Sequence, residues 1–117
     1  TIGTASRERA EAMARLAADR RKFYPGMPTV TYDCPAYSTD YWRGQTWLNV
    51  AFFAVKGLEN YGFTEVAGEI REFLLSMAYD GLDRGISENY DSINRRGKFN
   101  NAFSWSAAFL IELILDR

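Results

Sequence analysis

Three segments of this chain carry the residue types that could do chemistry, and they come in a fixed order. They are Tyr41-Trp42-Arg43-Gly44-Gln45-Thr46-Trp47, Glu88-Asn89-Tyr90-Asp91 and Phe103-Ser104-Trp105-Ser106-Ala107. Aromatic faces such as Trp42, Trp47 and Trp105 can stack on the apolar faces of pyranose rings. Arg43, Asn89, Tyr41 and Tyr90 can hydrogen-bond hydroxyls. A carboxylate such as Glu88 can serve as general acid or base. Together these are the groups a sugar site needs. Taken alone, each also has a plainer reading. A Trp beside a helix start is usually core, an Arg usually makes a structural ion pair, and a loop glutamate is usually exposed.

Other chemistries are excluded. The 117 residues include no histidine and one cysteine. Ser-His-Asp catalysis, His-ligated metals, an internal disulfide and a Cys-bound zinc are therefore absent. No cofactor or metal is expected. Cys34 reads as a small buried hydrophobe. The net charge is −1, with 14 basic and 15 acidic residues interspersed. That balance argues against a nucleic-acid partner or an anionic membrane surface. The most basic run, Arg95-Arg96 with Lys98, reads as a solvated loop. The stretch from Thr1 to Ala18 is charged and amphipathic, and no run is apolar enough for a signal core or a span. A cytoplasmic location is favoured and the compartment stays open.

These segments must be positioned by helices. Apolar spacing predicts an amphipathic helix from about Ser6 to Phe23, with Ala10, Met13, Ala14 and Ala17 on one stripe. A long connection, Tyr24 to Gly44, follows, in which Val30-Thr31-Tyr32 could be a short extended piece. A second helix, Thr46 to Tyr61, is apolar nearly all round. Gly62 stops it, and Thr64 can cap a third, amphipathic helix to about Ala78, which makes an antiparallel hairpin. A loop from Asp80 to Asn101 leads to a last helix, about Ser104 to Leu115, again apolar nearly all round, with Ser104 as its cap and Phe103 in the core.

Amphipathic and buried helices thus alternate. An ordinary four-helix bundle needs a polar face on every helix. An (α/α) barrel needs this alternation, because its inner helices are covered by outer ones and by each other. The expected fold is all-α, about four helices in antiparallel hairpins forming part of an (α/α)6 toroid. Helices two and four should be the most buried, and the whole chain, 1–117, should be a single segment.

The order and spacing of the three segments resemble the C-terminal end of (α/α)6-barrel glycoside hydrolases, especially family 63 and the related trehalase and glycogen-debranching proteins. Tyr41-Trp42-Arg43-Gly44, two residues, then Trp47 is similar to a string that lines the substrate cleft there. Pro28-Thr29-Val30 and Asp33-Cys34-Pro35-Ala36-Tyr37 resemble the family's approach to it. The resemblance implies that Trp42 is a stacking platform and Arg43 a hydroxyl or carboxylate partner. It implies that Glu88 is the base that activates water, with Asn89 and Tyr90 orienting it or touching sugar, and Trp105 a further cleft residue. The family continues Asp-Pro-x-Thr-Gly where this chain reads Asp91-Ser92-Ile93-Asn94-Arg95, so the loop after Asp91 should differ.

Inverting glycosidases need two carboxyl groups roughly 6.5–9.5 Å apart, one acid and one base. In the family the acid is an Asp on an earlier part of the barrel, and Asp33, Asp40 and Asp91 do not match its motif. The resemblance therefore implies a segment of an inverting hydrolase of α-linked glucosides or mannosides that carries the base without the acid. The isolated chain is expected to be inactive. Its partners would be carbohydrate and either the rest of the barrel or further copies of itself. The rival reading is a non-catalytic helical module that binds sugar or protein; it would be favoured by a polar residue in place of Glu88.

Overall fold

A computed structural model describes residues 4–116. It contains four α-helices: α1 Arg7–Ala18, α2 Leu48–Asn60, α3 Thr64–Tyr79 and α4 Ser104–Leu115. The described residues are all-α apart from one two-residue ladder, in which β1 (Asn89–Tyr90) pairs antiparallel with β2 (Gly97–Lys98). α2 packs against both α3 and α4, α3 also packs against α4, and α1 lies on α3.

Two helix caps differ from the reading of the sequence. α1 is capped as a helix should be, with Ser6 Oγ accepting from the Arg9 amide at 3.3 Å. At α3 and α4, however, Phe63 and Phe103 occupy the cap positions without a side-chain bond, and Thr64 and Ser104 are the first helical residues. α1 also stops at Ala18, short of Phe23. Residues Lys22, Phe23 and Tyr24 turn back instead, each donating an amide to the Asp19 carbonyl. α2 starts at Leu48 because Thr46 is committed elsewhere. Thr46 pairs with Pro28 on one side and Tyr90 on the other in isolated antiparallel bridges.

The core joins Leu48, Ala51 and Val55 of α2 to Ala67, Ile70, Leu74 and Met77 of α3 and to Leu110 and Leu113 of α4. At about 25 cal/mol per Å², each large side chain among them contributes roughly 1.5–3 kcal/mol when fully removed from water. The expected order of burial is not followed, because α3 and not α2 or α4 is the most buried. α3 is the best covered helix, with seven buried residues. α2 leaves Val50 41% and Phe53 65% exposed, and α4 leaves Trp105 49%, Ile111 54% and Leu115 73% exposed. The cause is position. α3 lies against three other helices, whereas the outward sides of α2 and α4 are left uncovered by the described residues. Their apolarity matches surface that a closed barrel would cover.

An ion-pair lock ties the ends of the helices remote from Thr46. Arg71, buried on α3, pairs with Glu59 of α2 and donates Nη1 to the Leu113 carbonyl of α4 at 3.0 Å. Lys56 holds Glu59 at 2.9 Å and also pairs with Asp116. Cys34 is half-buried, not buried as expected, because its loop lies at the surface. The basic run is not free in solvent either. Arg95 pairs with Asp80 at 2.6 Å and lies over the Phe73 ring, and Lys98 donates to the Thr39 carbonyl. Val30-Thr31-Tyr32 forms no strand.

Candidate active site

Two loops far apart in sequence are joined backbone to backbone. The Thr46 amide donates to the Tyr90 carbonyl at 2.8 Å, and the Tyr90 amide returns a bond of 3.0 Å. Thr46 Oγ1 donates to the Gly26 carbonyl. Beside this bridge, Glu88 is fixed from both sides. Its amide donates to the Asn100 carbonyl at 2.7 Å, and its carbonyl accepts from Ser106 Oγ in the first turn of α4 at 3.0 Å. The N-terminal ends of α2 and α4 therefore converge on Glu88.

A 3-10 turn, Tyr41–Arg43, carries the aromatic string to the same place. Trp42 lies flat on Trp47, with centroids 3.8 Å apart and planes 2° apart. Tyr41 stands edge-on to both indoles and to Phe99, at 6.0, 5.0 and 5.4 Å. Its hydroxyl donates to Glu88 Oε1 at 3.4 Å. That length is long for a hydrogen bond. Tyr41 and Phe99 are non-glycine residues with left-handed backbone, at φ 46° and 61°. Strain of this sort costs about 1–3 kcal/mol per residue and concentrates at functional sites.

Glu88, Tyr41 and Trp42 thus come together. The other candidates do not all present themselves to solvent. Trp47, Asn89 and Tyr90 are 2%, 0% and 1% exposed. Trp47 lies beneath Trp42, and Tyr90 accepts the Ser87 amide on its hydroxyl at 3.2 Å. These three back the site rather than line its surface, because the Thr46–Tyr90 bridge draws them inward. Arg43 is exposed and pairs with Asp40 at 3.7 Å, so its expected sugar role has a local ion pair beside it. Trp105 is half-exposed and its ring contact is with the half-buried Phe103, at 6.4 Å.

Several polar atoms here are buried without a partner among the described residues: both amide atoms of Asn89, Trp47 Nε1 and Gln45 Oε1. Such groups are rare in folded proteins and cost free energy where they stay unpaired. The loop after Asp91 is well held despite its unfamiliar sequence. Asp91 Oδ1 accepts from the Ile93 and Asn94 amides at 2.9 and 3.0 Å, and Oδ2 accepts from Asn94 Nδ2 at 3.1 Å. Burial pushes the Tyr32, Tyr37 and Tyr90 hydroxyls above their ordinary pKa, so they act as neutral hydrogen-bonding groups. Sequence reasoning missed Phe99 and Ser92. The signal for Phe99 was an isolated aromatic in a polar, glycine-containing loop; for Ser92 there was none. Among the described residues no cluster of three or more acidic or Cys side chains could hold a metal ion, and no helix is long and apolar enough to cross a membrane.

A partial toroid of helices whose N-terminal ends converge on a carboxylate and an aromatic platform defines part of an (α/α)6-barrel glycoside hydrolase. Solved structures carry the same fold. A GH63 mannosylglycerate hydrolase from Thermus thermophilus in complex with glucose superposes with a TM-score of 0.81 at 30% identity, over 98% of this chain and 28% of that one. A second structure of a GH63 mannosylglycerate hydrolase from Thermus thermophilus, in complex with Tris and D-glycerate, gives 0.80 at 28% identity, over 98% of this chain and 27% of that one. Residues 1–106 match the mannosylglycerate hydrolase MGH1-like glycoside hydrolase domain, and the chain belongs to that family. A mannosylglycerate hydrolase from Rubrobacter radiotolerans is 33% identical over 116 residues, 94% of this chain. One from Thermus thermophilus is 30% identical over 114 residues, 93% of this chain. The chain spans 26% of the length of each of these two relatives.

Proposed function

We propose that this chain is the C-terminal segment of a larger (α/α)6 barrel and supplies the base half of an inverting glycoside hydrolase. Its substrates are α-linked glucosides or mannosides, and the names of its relatives make hexosyl glycerates the first to try. The observation that carries this reading is the Tyr41–Glu88 contact beside an exposed Trp42 face, between loops 47 residues apart.

In the complete barrel a pyranose would stack on the open face of Trp42, with Arg43 reaching a hydroxyl or carboxylate. Glu88 would take a proton from water as the water oxygen bonds to the anomeric carbon. The bond to the leaving oxygen breaks on the opposite face, and that oxygen takes a proton from an acid outside this segment. One bond forms and one breaks with a single inversion, so the first product has the opposite anomeric configuration. The Tyr41 hydroxyl holds the carboxylate oriented toward the water.

The test is Glu88→Gln in the complete barrel. The variant keeps shape and most hydrogen bonds, so it should still bind sugar. Turnover should fall by about 10²–10⁴, the usual cost of a lost general base. NMR in the first moments of the parent reaction should show the inverted anomer. Near-normal turnover would remove Glu88 from the mechanism, and a retained anomer would make it a nucleophile.

A further inference from the structure

We propose that Ser92 is a positioning residue that aims the Tyr41 hydroxyl at Glu88; this rests on the reading of Glu88 as the base. Ser92 is 4% exposed, and its hydroxyl makes two bonds. It donates Oγ to the Gly44 carbonyl at 2.9 Å, which leaves it free to accept from the Tyr37 hydroxyl at 2.8 Å. Gly44 ends the 3-10 turn and donates its amide to the Tyr41 carbonyl. Tyr41 in turn reaches Glu88 Oε1. Glu88 and Ser92 belong to one short stretch of chain, so the connection closes on itself. It runs from Ser92 to Gly44, to Tyr41, to Glu88, and back along the backbone through the bridge at Tyr90.

Two features show that this circuit has little slack. Gly44 has φ 151° and a Cβ there would collide with the Ser38 carbonyl oxygen and the Tyr37 ring, so the backbone approaches as closely as glycine allows. Tyr41 sits in the left-handed region, which a tyrosine keeps only where its surroundings hold it. The Ser92–Gly44 bond ties the Glu88 loop directly to the carbonyl that ends this turn. A proline at this position would have no hydroxyl to reach Gly44.

The experiment compares variants of the complete barrel on a glucosyl or mannosyl glycerate. Ser92→Ala should lower kcat by about tenfold, the change equivalent to one buried hydrogen bond, and leave KM little altered. Tyr37→Phe, which removes the other bond to the same hydroxyl, should stay near the parent. On a Tyr41→Phe background, Ser92→Ala should cost nothing more, because the group it positions is gone. An additive loss on that background would overturn the proposal, as would an unchanged kcat in Ser92→Ala or an equal loss in Tyr37→Phe. If Ser92→Ala does not fold, Ser92→Cys takes its place: its thiol is nearly isosteric but a weaker donor, so kcat should fall by a smaller factor, and that fall should vanish on the Tyr41→Phe background. Glu88→Gln separates the two ideas. If it abolishes turnover while Ser92→Ala does not lower kcat, the base reading stands and the positioning role falls.

Discussion

At the scale of single residues, what a side chain can do was more legible than where it would lie. Glu88, Tyr41 and Trp42 could be picked out as candidates from the string and its spacing, because residue type fixes the chemistry each can offer, and the structure brings them together. The inward turn of Trp47, Asn89 and Tyr90 was not, because it depends on the Thr46–Tyr90 bridge between loops 44 residues apart (90 less 46). Nothing local to either segment announces such a pairing. Asp91 shows the opposite case. Its short side chain builds an Asx turn that any reading of turn chemistry allows, although the family's sequence differs there. The exposed face of Trp42 leads to a prediction. Trp42→Ala in the complete barrel should raise KM several-fold, in line with about 0.5–1.5 kcal/mol for an aromatic stacking contact. The effect on kcat should be smaller, since the ring contributes binding and no proton transfer. Isothermal titration with product sugar and steady-state kinetics check both halves, and an unaltered KM would remove Trp42 from the sugar platform.

At the scale of elements, the periodicity gave helix type and extent well where the helix is long and its stops are local. The bounds of α3 and α4 agree with the reading to within a residue. The order of burial did not follow, because apolarity reports what a helix would bury and not what this chain offers to cover it. Arg71 is the clearest surprise: a charged residue on an amphipathic helix that is buried with its partners. Removing it by Arg71→Ala leaves Glu59 without its α3 partner and the Leu113 carbonyl without its guanidinium donor. That should cost about 3 kcal/mol, the low end for a broken buried pair, since the Glu59 side chain keeps 25% of its surface. Urea unfolding would measure it. The same lock sets a pH dependence. Burial alone would raise the Glu59 pKa from its ordinary 4.5, but the hydrogen bonds from Lys56 and Arg71 hold it lower. A carboxylate lowered by folding contributes stability above its unfolded value and loses it as the pH falls through the folded one. Stability should therefore decline below about pH 4.5, and Glu59→Gln should flatten that acid limb. Equal slopes in parent and variant would exclude the lock as the cause.

At the scale of the whole molecule, the exposed apolar surface dominates. Met13, Leu16, Val50 and Phe53 line a groove of about 550 Å³ between α1 and α2, and Trp105, Ile111 and Leu115 mark the outward side of α4. Contiguous apolar surface of this kind is unusual on a monomer in water. The purified 117-residue segment should self-associate. Sedimentation should show species larger than a monomer, and Phe53→Glu with Ile111→Glu should shift it toward one. It should hydrolyse no glycoside, because on this reading it carries the base of the required pair and none of its Asp residues matches the family's acid. A well-behaved monomer at high concentration would count against the open-barrel account. Robust activity from the segment alone would overturn the half-site.

The ion-pair lock and the site sit at opposite ends of α2 and α4. Lys56, Glu59, Leu113 and Asp116 hold one end, while Trp47, Glu88 and Ser106 meet at the other. Heritable change can therefore act on the two ends separately. On the proposed function, the loops around Tyr41 and Glu88 can drift toward a new sugar or aglycone while the remote clamp keeps the helices in register. A gain in thermostability at Arg71 or Lys56, conversely, need not narrow what the loops accept. For anyone evolving this scaffold in the laboratory, the first round belongs at the clamp. The margin it adds can then absorb the destabilising loop variants from which new specificities are drawn.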